Sequence, residues 1–407
     1  MKSSLAWLGV VLLVACSSTP DTGSDAPSAG ASNAGGQPNS AAGSAGTAHG
    51  GSSAAGAAAS AGALEMGGSV GASGAAGSAA PGGSAGAASS GGTGTAGAGA
   101  SGGVVATRQK ILDYLGSISG TKTIAGQHNK EPNTDPAHWT NYVTGLVGKT
   151  PGLWSGDFLF EKPDVDARGT MIAEAQKQFE AGALINLMWH ACAPTVGVSC
   201  KWGEGVSMHL SDPQWSDLVT EGGMLNGVWK QRMDLVAAEL QKLEDAGVVV
   251  MFRPFHEQNQ GMFWWAGRTG DSGTKKLYRL THDYFVKSKG LENIIWVWDM
   301  QDLAGYEQAI PSYNPGFDYF DVAALDVYEG FNAQKYQAMV DVAAGQKLIA
   351  IGECAQLPKA SDLASAPQFV FFMDWAELIQ DNNSTDAVKT LYAADRVLTR
   401  DELPGWK

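Results

Sequence analysis

Two glutamates in this chain stand where apolar runs of strand length give out. One is Glu257, in Arg253–Gly267 (RPFHEQNQGMFWWAG), which sets Arg253 and His256 beside it and Phe263, Trp264 and Trp265 shortly after. The other is Glu353, which closes the run KLIAIGE. Two carboxyl groups converging on one cleft can cleave a glycosidic bond with retention. One protonates the leaving oxygen, the other attacks the anomeric carbon, and they stand about 5–5.5 Å apart. His256 and Arg253 can hold and tune Glu257, and Trp264, Trp265, Trp298 and Trp375 offer flat faces for sugar rings.

Each residue also has a plainer reading when taken singly. A strand-end Glu is more often solvated or ion-paired, a Trp pair packs cores, and His190 alone reads as a hydrogen-bonded core histidine. Arg253, placed before Pro254, reads first as a salt-bridge partner. The combination points to chemistry, and it needs a scaffold that brings residues 253–257 to residue 353.

Eight apolar runs supply one: TIAGQ from Thr123, PGLWSGDF from Pro151, ALINLMWH from Ala183, VVVMFRPFHE from Val248, NIIWVWD from Asn293, DVAALDVY from Asp321, KLIAIGE from Lys347 and FVFFMDW from Phe369. Helical periodicity fills the intervals between most of them. Trp229, Met233, Val236, Leu240 and Leu243 step by three and four, and Leu277, Leu280 and Tyr284 repeat the pattern. Alternating strands and helices in about 300 residues predict a (β/α)8 TIM barrel. A doubly wound open sheet would want a Gly-rich phosphate loop after the first strand, and TIAGQHNKEP has none. Barrel chemistry collects at the C-terminal strand ends. Here these read Gln127-His128, Asp157, Trp189-His190, His256-Glu257, Trp298-Asp299, Asp326 to Tyr328, Glu353 and Asp374-Trp375.

The domain organisation follows from composition. Residues 1–16, MKSSLAWLGVVLLVAC, read as an export signal, with a short apolar run ending at Cys16. Residues 17–103 are almost wholly Gly, Ala and Ser, with Asp21, Asp25 and Glu65 as the charged exceptions, and cannot bury enough apolar surface to order themselves. A Gly-rich coil of about 87 residues reaches about 50 Å on average. Residues 104–407 hold every Trp except Trp7 and form the catalytic domain. The signal carries Lys2 and the tether three acids, which leaves this domain 26 basic against 38 acidic residues, a charge of −12. That balance repels nucleic acid and anionic lipid and suits a neutral substrate.

Three cysteines fall in the domain. Cys192 and Cys200 share a short loop, and in an exported protein a disulfide is the economical reading. A metal site with His190 and His209 is the rival, but the usual zinc spacings are missing. Cys354 reads as a small buried thiol.

Two resemblances sharpen these expectations. The stretch Leu13-Val14-Ala15-Cys16 resembles the bacterial lipobox, which implies cleavage before Cys16 and lipidation of its thiol. With Ser17 and Ser18 following, the protein is expected at the outer membrane or cell surface, or secreted, touching membrane through the lipid alone. The stretch FRPFHEQNQGMFWWAG resembles the R-P-x-H-E block and following W-F-W-W of glycoside hydrolase family 26. SGDF, LMWH, IIWVW, FDVAALDVY, LIAIGE and RVLTRDELPGW resemble its other blocks in order. The family consists mainly of retaining endo-β-1,4-mannanases, and the resemblance covers roughly residues 107–406. It implies Glu257 as acid/base, Glu353 as nucleophile, and His190, His256, Trp265, Tyr328 and Trp375 as sugar-contacting or orienting residues.

This chain departs from the pattern at Met262, where the family often has Trp, and at Cys354-Ala355 after the nucleophile. The Cys192–Cys200 loop and the insert KWGEGVSMHLSDPQWSDLVTEGG after it are expected to shape distal subsites. The expected substrate is β-mannan. The catalytic pair does not itself encode the sugar, so β-1,3-xylan and mixed-linkage β-glucan remain alternatives, as does a non-catalytic glycan-binding lipoprotein. No cofactor and no metal are expected, since hydrolysis needs only water, and the protein is expected to act as a monomer.

Overall fold

Eight parallel strands close on themselves: β1 Thr123–His128, β2 Leu153–Asp157, β3 Leu184–Trp189, β4 Val250–Pro254, β5 Ile294–Gln301, β6 Val322–Val327, β7 Leu348–Cys354 and β8 Phe369–Asp374. Each pairs with its neighbour in sequence, and β1 bonds both β2 and β8, so no barrel edge is left open. This is the (β/α)8 barrel, and all eight expected runs became strands. The structure is a computed structural model and describes residues 98–406. The expected signal, Cys16 and nearly all of the 17–103 tether lie outside the described residues. The first helix, Ala98–Ile118, begins ahead of the expected domain start at 104. Among the described residues no helix is long and apolar enough to cross a membrane.

Helices cover the outside of the barrel. In Met224–Asp245 the stripe of Trp229, Met233, Val236, Leu240 and Leu243 is buried throughout, as its spacing requires. The expected stripe before β5 is shifted. In Thr274–Asp283 the buried face is Leu277, Tyr278 and Thr281, continued by Phe285 in the π turn that follows, while Leu280 and Tyr284 flank it half-buried. A wider turn at the end of that helix rotates which residue meets the sheet.

Strand side chains alternate between the helix layer and the barrel interior. On β5, Trp296 and Trp298 point outward, to Phe285 and Phe320 respectively, so Asp299 points in. The same parity sends Asp157, Arg253 and Asp326 inward. In β7 the register against β6 slips, with Leu325 opposite Ile351 but Asp326 opposite Glu353, which makes Gly352 an extra residue. A Cβ there would lie against Asp299 Oδ2 and 2.6 Å from Asp326 Oδ1. Glycine is what lets β7 pass this charged layer and still deliver Glu353 inward.

Candidate active site

Strand β4 ends at Pro254, which lacks the N–H needed to continue the ladder. Just beyond it Phe255 and Glu257 adopt left-handed backbone, with φ of 55° and 51°. Non-glycine residues do this at a cost, and the surroundings hold them there. Phe255 is buried between Trp229 and Trp265, the Glu257 N–H donates to Asp299 Oδ1 at 2.9 Å, and Trp265 Nε1–H donates to the His256 carbonyl at 3.0 Å. The kinked turn aims Glu257 across the mouth at β7.

Glu353 is held on both oxygens. Arg253 Nη2 donates to Oε1, and the Tyr328 hydroxyl donates to Oε2 at 2.6 Å. Arg253 Nη1 also contacts Asp299 Oδ2 at 3.1 Å and both Asp326 oxygens at 3.0 Å. Carboxylate oxygens of Glu257, Asp326 and Glu353 lie within 4.8 Å of one another. Three acids so placed could meet a cation, but the Arg253 guanidinium already bonds Asp326 and Glu353 and supplies the positive charge.

One guanidinium faces four buried carboxyl groups, and they divide its charge unequally. Burial, then the charges of Glu353 and Asp299, push Glu257 well above the usual carboxyl range. Burial also raises Glu353, but Arg253 and the Tyr328 hydroxyl oppose it. Glu257, whose side chain is bonded by Gln260 and by no cation among the described residues, is the better proton holder; Glu353 is the better anion.

A second cluster lines the mouth from β1 to β3. Asp157 receives the His190 backbone N–H at 3.1 Å and bonds its Nδ1. Burial works against the Asp157 charge, but His190 and His128 outweigh it and hold that carboxyl well below its usual range. His256, edge-on to His190 with ring centres 4.5 Å apart, is pushed well below the usual imidazole value by burial and by the His190 and Arg253 charges. Burial lowers His128 to about 3 in spite of Asp157. Both rings are therefore neutral at working pH. Each keeps a buried nitrogen without a partner among the described residues, Nδ1 of His256 and Nε2 of His128.

The expected aromatic faces are only partly delivered. Trp375 is half-buried and stacks on His128, with centres 4.2 Å apart, and Tyr328 is 36 % exposed with its hydroxyl on Glu353. Trp265 is fully buried, stacked on Phe263 at 4.5 Å, and forms the wall behind His256. Trp264 and Trp298 belong to the scaffold and present no face to the cleft. Trp264 packs on Trp229 and donates to the Ala191 carbonyl, and Trp298 faces the helix layer and donates to Gln258. Met262 is exposed at the mouth.

The structure joins Cys192 to Cys200, buries Cys354 as a free thiol, and leaves His209 exposed. The loop is also tied to the segment just after β2 by the Cys200 N–H on the Phe160 carbonyl, and Trp202, just after it, lies near His190 and Phe263. The insert packs on the post-β4 loop through Val206 and Trp264. Sequence reasoning left Trp202, Phe263 and Gln260 out of the site. It named Asp157, Asp299, Asp326 and His128 only as strand-end residues, and strand parity is the signal that would have placed them inside.

Residues 103–402 match the model of glycosyl hydrolase family 26. The chain belongs to this family. It is 32 % identical over 317 residues to a mannan endo-1,4-beta-mannosidase of Thermothelomyces thermophilus, covering 74 % of this chain and 62 % of the relative. Against two Piromyces mannan endo-1,4-beta-mannosidases it spans about half of their length, 53 % and 50 %. Among solved structures it resembles a GH26A from a Muricauda species, with TM-score 0.69 and 35 % identity over 73 % of this chain and 97 % of that one. It also resembles a beta-mannanase from a symbiotic protist of the termite Reticulitermes speratus, complexed with gluco-manno-oligosaccharide, with TM-score 0.66 and 25 % identity over 74 % and 96 %.

Proposed function

We propose that this protein is an endo-β-1,4-mannanase that retains configuration by double displacement, with Glu353 as nucleophile and Glu257 as acid and then base. The observation that carries the reading is the unequal pair: two buried carboxyls whose oxygens approach within 4.8 Å, one bonded by Arg253 and Tyr328, the other bonded by Gln260 and by no cation among the described residues. Carboxyls whose oxygens come this close fit the about 5–5.5 Å spacing of a retaining pair better than the about 6.5–9.5 Å of an inverting one.

In the first step an ionised Glu353 oxygen attacks the anomeric carbon while Glu257 passes its proton to the departing glycosidic oxygen. Arg253 and Tyr328 keep the attacking carboxylate ionised and aimed. In the second step Glu257, now an anion, takes a proton from water as that water's oxygen displaces Glu353. Half-buried Trp375 and Trp202 offer ring faces beside the sugar bound between the carboxyls.

Mannan as substrate rests on the relatives, whose names specify mannan endo-1,4-beta-mannosidase, and on the uncharged character of a polymer that an acidic domain would not repel. We extend the proposal to location: lipidation at Cys16 and a long Gly/Ala/Ser tether would hold the enzyme at a surface while letting it reach insoluble polymer. Reducing-sugar release from a panel of mannans, xylans and β-glucans tests the activity. Turnover of xylan or β-glucan with none of mannan would overturn the substrate, and no release from any polymer would overturn the enzyme reading.

A further inference from the structure

Glu257 is clamped by its own loop. Gln260 Nε2 donates to Glu257 Oε2, while Gln260 Oε1 accepts the Met262 N–H at 3.2 Å. The Gln260 backbone N–H donates to the Glu257 carbonyl, also at 3.2 Å, so residues 257–260 form a closed turn. The Met262 bond settles which way the amide faces. Its oxygen is engaged by an N–H, which leaves the NH2 end for the carboxyl. Gln260 is half-buried at the rim of the cleft, and Glu257 behind it is buried.

We propose that Gln260 is a positioning residue for the acid/base carboxyl: it engages Oε2 as a permanent acceptor and so assigns proton delivery and return to Oε1. The proposal rests on the mannanase reading above and names a residue that reading does not use. A protonated Oε2 would have to point its hydrogen at another donor, so the proton resides on Oε1. From there it passes to the leaving oxygen as the glycosidic bond breaks and Glu353 bonds the anomeric carbon. Oε1 then recovers a proton from the attacking water as the Glu353 ester is displaced.

The same hydrogen bond favours the ionised form of Glu257. The other groups facing this carboxyl are Glu353 from β7, Asp326 from β6 and Tyr328 just beyond it, Asp299 from β5 and Arg253 from β4. Burial and the acids among them press a proton on, while Arg253 and Gln260 press it off. Gln260 thus keeps Glu257 able to lose its proton in the first step and to exist as an anion before the second.

The full-length protein provides the test. In unmodified protein the Gln260 side-chain NH2 resonances should titrate with the same midpoint as the Glu257 carboxyl, followed by 13C and assigned by its loss in Glu257→Gln. In Gln260→Leu the Glu257 midpoint and the alkaline limb of kcat/KM should both move up by at least about half a pH unit. In Gln260→Glu, which adds a charge facing Glu257, both should move further. An NH2 signal that ignores the Glu257 titration, or variants that lose turnover with the midpoint unmoved, would overturn the proposal. If the wild type cleaves no mannan, the mannanase reading fails while the titrations still decide the contact.

Discussion

Arg253 and Glu353 lie one hundred residues apart in the chain and are bonded through Nη2 and Oε1 inside the barrel. The same guanidinium holds Asp299 and Asp326, so one side chain ties the ends of β4, β5, β6 and β7 together. It is at once the charge that opposes protonation of Glu353 and the brace of the site.

Removing that brace should be costly in a pH-dependent way. Arg253→Leu leaves Asp299, Asp326 and Glu353 buried with no cation, and breaking a buried pair in this way costs about 3–5 kcal/mol. Urea denaturation at pH 7 should show a loss of that order. At pH 4 the carboxyls can take up protons, and the deficit should shrink. An equal deficit at both pH values would mean that Arg253 acts by packing rather than by charge.

Gly352→Ala tests the bulge in β7. The new methyl would meet the Asp299 and Asp326 carboxyls, and overpacking of this kind costs about 1–3 kcal/mol. The larger effect should fall on catalysis, since displacing Glu353 by about 1 Å can cost about 100-fold in rate. The expected result is a folded protein with kcat on mannan down by about that factor. Wild-type kcat would show that β7 does not need the glycine.

How much of this could be read in the chain depends on where each residue sits. Asp157, Arg253, Asp299 and Asp326 lie on strands, where the period of two fixes which neighbours face inward, whereas Glu353 faces inward only because the extra residue Gly352 breaks that period. By the same rule, an inward Asp299 excludes Trp298 from the cleft, so that tryptophan was misassigned by a signal already present. Trp264 is different. It follows a loop whose path is set by left-handed Phe255 and Glu257, a conformation that no periodicity reports and that only the packing of Phe255 on Trp229 and Trp265 makes tolerable. Gln260 and Trp202 were hidden for the same reason, since both lie in irregular segments.

Glu257 should also cost the fold stability. Its folded pKa is raised above the unfolded carboxyl value of about 4.3, so the protonated form is favoured by folding. The contribution is fully present below that unfolded value and is lost as pH rises through the folded one. Glu257→Gln removes the penalty. At pH 7 its melting temperature should exceed that of wild type by at least about 2 °C, and the gap should close below about pH 4. A variant less stable than wild type at pH 7 would contradict the strained, proton-holding environment described for this carboxyl.

The division of labour between the two glutamates makes them fail differently. In the proposed mechanism every substrate is transferred to Glu353, so Glu353→Ala should abolish turnover of mannan and of activated aryl glycosides alike while leaving mannan binding nearly intact. Glu257 first supplies a proton, worth about 100- to 10,000-fold on an unactivated bond but little to a dinitrophenolate leaving group. Glu257→Ala should therefore still form the glycosyl-enzyme from a dinitrophenyl mannobioside and release one equivalent of phenolate in a burst. It should then stall, because no base remains to take the proton from water. Azide is a nucleophile that needs no base. It should fit the space left by the carboxyl and restore turnover, giving a glycosyl azide of retained configuration. In contrast, azide added to Glu353→Ala could only attack the opposite face of the sugar, and any product should be inverted. Substantial mannanase activity in Glu353→Ala, or a wild-type product of inverted configuration by NMR, would show that Arg253 and Tyr328 hold some other group than the nucleophile.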